Sequence, residues 1–347
     1  MNEIIISGKP VGEKHPAFII AEIGQNHNGE VSIAKELIDV ASEAGVDAVK
    51  FVKRHIPSEL TAEQYNKPYD NPNSFGETYG KHREFLELDR EQHREIKNYA
   101  EEKGLIYFSS ACDRVSVEDM EHIGAPAYKI ASRDLTNVPL IEYIARIGKP
   151  IIMSTGMATV EDIDDAVNTV RKYHEKFILM HCTSEYPTPY EHVNLRRIDT
   201  LKERYKCIVG SSDHTIGIMI PVAAVAFGAK VIEKHITLHR YMKGTDHPGS
   251  LEPGGLKRVV RDIRHLEQAI GDGDIQYEDY MDKARKKLAR SLVSAADIRK
   301  GQVLTEDMII LKSPGTGLLW RDKDRIIGKR AVKDIEKDNT LKEDDFE

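Results

Sequence analysis

Residues 150–181, PIIMSTGMATVEDIDDAVNTVRKYHEKFILMH, contain one complete structural period. An apolar run at 150–153 passes through Ser154-Thr155-Gly156 into an amphipathic stretch at 160–173, then into a second apolar run at 177–181. A strand, a polar junction, a crossover helix and a second strand are the parts of a parallel βαβ unit. Working outward, the period recurs from Ala17 to Ile270, with further strand-like runs at 17–22, 48–51, 106–110, 127–130, 207–210 and 231–235. Helical patterns at 31–44, 90–103 and 216–229 occupy intervals between them, and Gly45, Gly104 and Gly148 stand where left-handed caps are expected. Eight regular units, with no GxGxxG after the first strand, predict a closed α/β (β/α)8 TIM barrel over an open doubly wound sheet. The segment 4–6 is expected to be a small ribbon sealing the barrel floor, and 66–88 an insertion on the active-site side.

After Gly271 the rhythm changes to a charged helix-like stretch at 279–290 and short apolar runs separated by Lys300-Gly301, Pro314-Gly315 and Gly328. We therefore expect a barrel domain over 1–275, a linker over 276–286 and a small β-rich domain over 287–347.

Composition narrows the function classes. With 50 Lys+Arg against 57 Asp+Glu and no block of like charge, neither nucleic acid nor an acidic membrane is expected as partner. Cys112, Cys182 and Cys207 form no CxxC motif and read as buried thiols in a reducing compartment. The start of the chain lacks the basic and apolar segments of a signal peptide, and the most apolar stretch, 216–232, is broken by Gly217, Pro221, Gly228 and Lys230. A cytoplasmic protein is the expectation.

The chemistry-bearing side chains cluster at the C-terminal ends of the runs, where a barrel keeps its active site. They are Glu22 on the first, Lys50 on the second and Ser110 on the third, then Lys129 with Ser132-Arg133-Asp134 on the fourth. Ser154 ends the fifth, Ser184 and Tyr186 follow the sixth, Ser212 and His214 close the seventh, and Glu233 and His235 the eighth, with Asp246 beyond. Any one serine is more readily a helix cap than a ligand; convergence of eight strand ends is what carries weight. Consecutive strands lie about 4.8 Å apart, so His214 and His235 are within reach of one divalent ion, a buried hydrogen-bonded pair being the alternative. Lys50, Lys129 and the hydroxyls describe a pocket for a small dianion bearing phosphate and carboxylate. A lysine Schiff-base aldolase built on Lys129 is the rival enzyme, and a non-catalytic carbohydrate-binding protein built on the tail would explain that tail alone.

Along nearly its whole length the chain resembles the N-acylneuraminate (sialic acid) synthase family. The resemblance is carried by Ala21-Glu22-Ile23-Gly24 with Asn26-His27-Asn28-Gly29, Ser154-Thr155-Gly156-Met157, His181-Cys182-Thr183 with Tyr186-Pro187-Thr188-Pro189, Ser212-Asp213-His214-Thr215 and Glu233-Lys234-His235. The tail, with Lys312-Ser313-Pro314-Gly315 and Ile327-Gly328-Lys329, is similar to that family's antifreeze-like (SAF) domain. The resemblance implies condensation of phosphoenolpyruvate with an open-chain N-acyl-mannosamine-type sugar to a nine-carbon 2-keto acid and phosphate. A 6-phosphorylated or a legionaminic-type acceptor stays open. It further implies that Lys50, Ser110, Lys129, Ser132, Ser154, Ser184 and Ser212 hold phosphoenolpyruvate. His214 and His235 would bind a divalent metal, Mn2+ first, with Mg2+ or Co2+ as alternatives. Glu22 is implied as acid/base with Asp134 and Tyr186 beside it, and Tyr186, Glu233 and Asp246 as positioning the sugar or the metal's waters. A domain-swapped homodimer is also implied. Three departures bear on the sugar: Val52 where Gln is usual, Ser313 where the SAF domain often carries Arg, and Arg133 where Gly is common. Arg133 is therefore expected either to reach the sugar pocket or to turn outward onto a carboxylate.

Overall fold

The computed structural model describes residues 3–347; Met1 and Asn2, part of the start read above as lacking a signal peptide, lie outside them. Two compact units divide the chain, Met1–Gly271 and Asp272–Glu347.

The first unit opens with a hairpin, β1 (Ile4–Ile6) and β2 (Lys9–Val11). Eight parallel strands follow: β3 (Phe18–Gly24), β4 (Ala48–Lys53), β5 (Ile106–Ala111), β6 (Tyr128–Ile130), β7 (Ile151–Ser154), β8 (Phe177–Cys182), β9 (Ile208–Asp213) and β10 (Val231–His235). They close in chain order, with β10 pairing back onto β3. The helices between them are α1 (Val31–Ala44), the short α2 (Ile56–Glu59), α3 (Ala62–Asn66) and α4 (Tyr79–Phe85), α5 (Arg90–Glu102), α6 (Arg114–His122) and α7 (Val138–Ile147). The ring continues with α8 (Val160–Arg171), α9 (Arg197–Tyr205), α10 (Met219–Ala226) and α11 (Pro253–Ala269).

Local chemistry sets the boundaries. Asp89 with Gln92 and Thr159 with Asp162 form capping boxes that start α5 and α8. Gly45 and Gly148 end α1 and α7 in the left-handed conformation, at φ 78° and 80°. The helix expected at 216–229 begins only at Met219, because Gly217 at φ 100° cannot be helical. The insertion at 66–88 contains α4, which sequence reading left as irregular chain.

Strand alternation divides the barrel into two environments. Outward residues such as Ile19, Ala21, Val49, Tyr107 and Leu179 pack against the helices. Inward residues in the lower part, among them Phe18, Ile20, Ala48, Phe108, Ile152, Met180 and Val231, form a separate core. Ile4, Ile6 and Val11 of the hairpin complete that core, so the ribbon seals the floor. The interior is filled from below, leaving the upper inward positions as the only level open to a ligand.

The second unit holds α12 (Asp282–Leu288), shorter than the expected 279–290, and an antiparallel pair, β11 (Ser291–Ser294) and β12 (Ile309–Lys312). Its small core includes Leu292, Leu304, Ile309, Ile335, Leu341 and Phe346. Among the described residues no helix is long and apolar enough to cross a membrane.

Candidate active site

The inward alternation that plugs the floor turns polar one step higher. Two residues beyond Ile20 stands Glu22, beyond Ala48 Lys50, beyond Phe108 Ser110, beyond Ala127 Lys129, beyond Ile152 Ser154, and beyond Val231 Glu233. These side chains line a cavity of about 230 Å³ together with Ser132, Arg133, Ser184, Ser212, His214 and His235.

Its base is a buried charge cluster. Lys129 Nζ donates to both oxygens of Glu233, at 2.8 and 2.7 Å, and Ser212 Oγ donates to Oε1 of the same carboxylate at 2.9 Å. Lys50 Nζ lies 2.8 Å from Glu22 Oε2, 3.9 Å from Glu233 and 3.0 Å from Ser110 Oγ. Burial by itself raises both carboxyls; the pull of Lys129 and Lys50 overrides it at Glu233, which falls to about 2. At Glu22 burial prevails over Lys50 and lifts the group to about 7. Oε2 of Glu22 has no aligned hydrogen-bond partner among the described residues, nor has the buried Ser154 Oγ. The site thus joins an ionised carboxylate to one poised near neutrality. Glu233, expected on the sugar side, is set among the cations. Burial lowers Lys129, and the carboxylate it bonds through both oxygens opposes that shift, favouring the ammonium form over the free amine a Schiff base needs.

One wall is a cradle of small groups. Gly156 N donates to Ser132 Oγ at 3.0 Å, and a Cβ added to Gly156 would meet Ser184 Oγ at 2.4 Å and Ser132 Oγ at 2.8 Å. Glycine here leaves room for the hydroxyls that follow β6 and β8 to face one volume.

The opposite wall carries the imidazoles. The His214 and His235 ring centroids are 5.4 Å apart, and Tyr186 packs against both, at 5.2 and 5.0 Å. His214 Nδ1 bonds the Thr183 carbonyl at 2.8 Å, which leaves Nε2 for a ligand. Outside the barrel, Lys234 donates to Asp213 at 2.6 Å, and Asp213 accepts from Thr215 N at 3.0 Å; this buried pair fixes the turn carrying His214. Burial draws His235 down to about 3, keeping it neutral, and its Nδ1 is buried without a hydrogen-bond partner. Asp246 Oδ2 stands 3.8 Å from that nitrogen. Among the described residues no three His, Cys, Asp or Glu side chains converge as a closed ligand set. A neutral imidazole with an orphaned nitrogen, beside a second whose Nε2 is left free, fits an open divalent site and not a closed structural one.

Three expected residues stand outside the cavity lining: Asp134, Tyr186 and Asp246. Tyr186 acts on the histidines from behind, its hydroxyl donating to the Asp246 carbonyl at 2.8 Å. Asp246 is engaged by Gln25 at 3.3 Å and Thr245 at 2.9 Å. Asp134 stays beside Arg133, its carboxyl raised by burial against the opposing guanidinium. Arg133 lines the cavity and at the same time lies 3.5 Å from the Glu59 carboxylate. Sequence reading missed Ala131, Met157 and Cys182 in the lining. Cys182 was within reach, since Ile178, Met180 and Cys182 share one strand face; Met157 follows the strand in a turn and gave no such signal.

The NeuB family model matches residues 37–275 and the SAF domain model residues 289–347. An N-acetylneuraminate-9-phosphate synthase from Homo sapiens is 39% identical over 97% of this chain and 94% of its own length. An N,N'-diacetyllegionaminic acid synthase from Campylobacter jejuni is 38% identical over 94% of this chain and 99% of its own. The crystal structure of an N-acetylneuraminic acid synthetase from Leptospira borgpetersenii superposes with a TM-score of 0.72 at 33% identity, covering 82% of this chain and 95% of that one. The chain belongs to the NeuB family and carries its SAF domain.

Proposed function

We propose that this chain is a nonulosonate synthase, condensing phosphoenolpyruvate with the open-chain aldehyde of an N-acyl-mannosamine-type sugar to give a nine-carbon 2-keto acid and phosphate. The observation that carries the reading is the buried Lys50 and Lys129 pair at the bottom of a hydroxyl-lined cavity, beside two imidazoles. The names of the relatives support the same substrate class.

Lys50 and Lys129, with the hydroxyls of Ser110, Ser132, Ser154, Ser184 and Ser212, hold the phosphate and carboxylate of phosphoenolpyruvate. Glu233 favours the charged form of both lysines against the effect of burial. His214 and His235 would hold a divalent cation, Mn2+ first, whose chemistry is to draw electron density from the aldehyde oxygen. C3 of phosphoenolpyruvate forms the new bond to the aldehyde carbon, whose oxygen takes up a proton. Water adds at C2 and gives up a proton, and phosphate leaves with cleavage of its bond to C2. Glu22, near 7, is able both to give and to take those protons at the working pH. Tyr186 positions the imidazoles, and Asp134 and Asp246 orient Arg133 and the metal side respectively.

Relatives named for 9-phosphate and for legionaminic products support both a 6-phosphorylated and a legionaminic-type acceptor as alternatives to N-acetylmannosamine. The test is phosphate release from phosphoenolpyruvate with Mn2+ across N-acetylmannosamine, its 6-phosphate, mannose and a diacetamido-trideoxy sugar. Release with one of the amino sugars is expected; none with any of the four overturns the reading. The three buried free cysteines support a cytoplasmic setting. Family membership supports a domain-swapped homodimer, checked by sedimentation velocity.

A further inference from the structure

We propose that Glu59, itself fixed by Arg83, holds Arg133 over the cavity, and that Arg133 so held reads an oxygen-bearing substituent at the end of the acceptor remote from its aldehyde. The inference rests on the condensation reading above.

Position comes first. Arg133 follows β6, and β6 stands four places from β10 in the closed ring of eight strands, directly across from the strand that carries His235. An acceptor with its aldehyde beside the imidazoles extends its other end across the mouth toward Arg133. Depth agrees: the Lys50 and Lys129 side chains are 4% and 3% exposed, that of Arg133 36%. The lysines serve the bottom of the cavity and the arginine its upper wall.

The guanidinium has donors to spare. Of its five N–H groups, the one hydrogen bond among the described residues is from Nη2 to Cys112 Sγ, 2.9 Å, a weak acceptor. Glu59 at 3.5 Å and Asp134 at 3.6 Å anchor it by charge at distances too long for strong hydrogen bonds. The group is held in place with most of its planar donor edge uncommitted, a form suited to hydroxyl or phosphate oxygens.

Glu59, at the end of α2, is shared. Arg83 Nη2 contacts both of its oxygens, at 2.8 and 3.0 Å, and Arg83 Nη1 bonds Tyr79 Oη at 3.1 Å. Arg83 and Tyr79 belong to α4, inside the insertion at 66–88. One carboxylate thus separates two guanidinium ions, and without its charge Arg83 and Arg133 repel. The insertion acts on acceptor choice through Glu59, a positioning residue.

The test is steady-state kinetics of the full chain, varying each substrate in turn, for the wild type, Arg133→Gly, Glu59→Gln and Glu59→Asp. The acceptors are N-acetylmannosamine, its 6-phosphate and its 6-deoxy analogue. The wild type is expected to favour an acceptor bearing oxygen at C6. Arg133→Gly and Glu59→Gln should raise KM for that acceptor about tenfold while KM for phosphoenolpyruvate moves by less than about twofold. Discrimination against the 6-deoxy sugar should collapse in both, and Glu59→Asp should restore part of it, which a general loss of folding would not. A wild type indifferent to C6 overturns the proposal, as does an equal rise in both KM values. Turnover with an unaltered acceptor profile refutes the relay alone; no wild-type turnover with any acceptor refutes the condensation reading.

Discussion

Both carboxylate oxygens of Glu233 accept hydrogen bonds from the Lys129 ammonium, tying β10 to β6 across the full width of the barrel. Lys50 lies 3.9 Å from the same carboxylate and 2.8 Å from Glu22, so two buried cations share two buried carboxyls. A dianionic substrate enters a site whose positive charge is already partly offset, and it must compete with Glu233 for Lys129.

Glu233→Gln removes that competition at a cost to the empty protein. Breaking a buried ion pair on one side costs about 3–5 kcal/mol, so the variant should melt well below the wild type. Phosphoenolpyruvate should recover more of the loss in the variant than it adds to the wild type, because its charge replaces the missing carboxylate. Thermal melts with and without phosphoenolpyruvate check this; equal ligand-induced shifts would contradict it.

Gly156→Ala should separate binding from folding. The new methyl meets the Ser184 and Ser132 hydroxyls at 2.4 and 2.8 Å, and overpacking of this kind costs about 1–3 kcal/mol. The obstructing atoms are hydroxyl ends able to rotate away, so the barrel should persist while its cradle is spoiled. KM for phosphoenolpyruvate is expected to rise about tenfold, more than KM for the acceptor. An unchanged phosphoenolpyruvate KM would remove the serines from its binding site.

Metal dependence has a readout besides turnover. Titration with Mn2+, followed by the paramagnetic resonance of the free ion, should show about one tight site per chain, weakened at least about tenfold in His235→Ala. Dialysis against a chelator should abolish phosphate release, and Mn2+ should restore it. Full activity after chelation would refute the metal assignment of His214 and His235.

Two buried histidines make the barrel acid-sensitive. Burial, aided by Arg54, draws His27 down to about 3, and burial with Lys53, His27 and Arg54 nearby holds His93 well below its ordinary value of 6.5. Between those values and 6.5 the unfolded chain binds protons that the folded chain does not. Stability is therefore lost as pH falls below 6.5, by up to about 1.4 kcal/mol per pH unit for each group. His93 Nδ1 bonds Tyr107 Oη at 2.6 Å, a contact that Gln can also make. Denaturant unfolding of His93→Gln at descending pH should show a shallower slope; an identical slope would contradict the assignment.

The barrel and the inner face of its mouth were legible in the sequence because both depend on local periodicity. Strand alternation of two puts Glu22 above Ile20, Lys50 above Ala48 and Glu233 above Val231, and eight such runs separated by helical stretches leave closure as the economical arrangement. Which side chains meet was not legible. Lys129 and Glu233 are 104 residues apart and touch only because the ring closes. Tyr186 and Asp246 follow the strands on loops, and no periodicity shows that they brace the histidines from outside the cavity lining. Glu59 and Arg83 sit on short helices that sequence reading did not resolve, and only folding brings them to Arg133. The sequence determined the kind of site, because residue type and strand face are properties of neighbours along the chain. The tertiary structure alone decided the charge pairing and the path to the acceptor, because both are set by distances across a closed barrel.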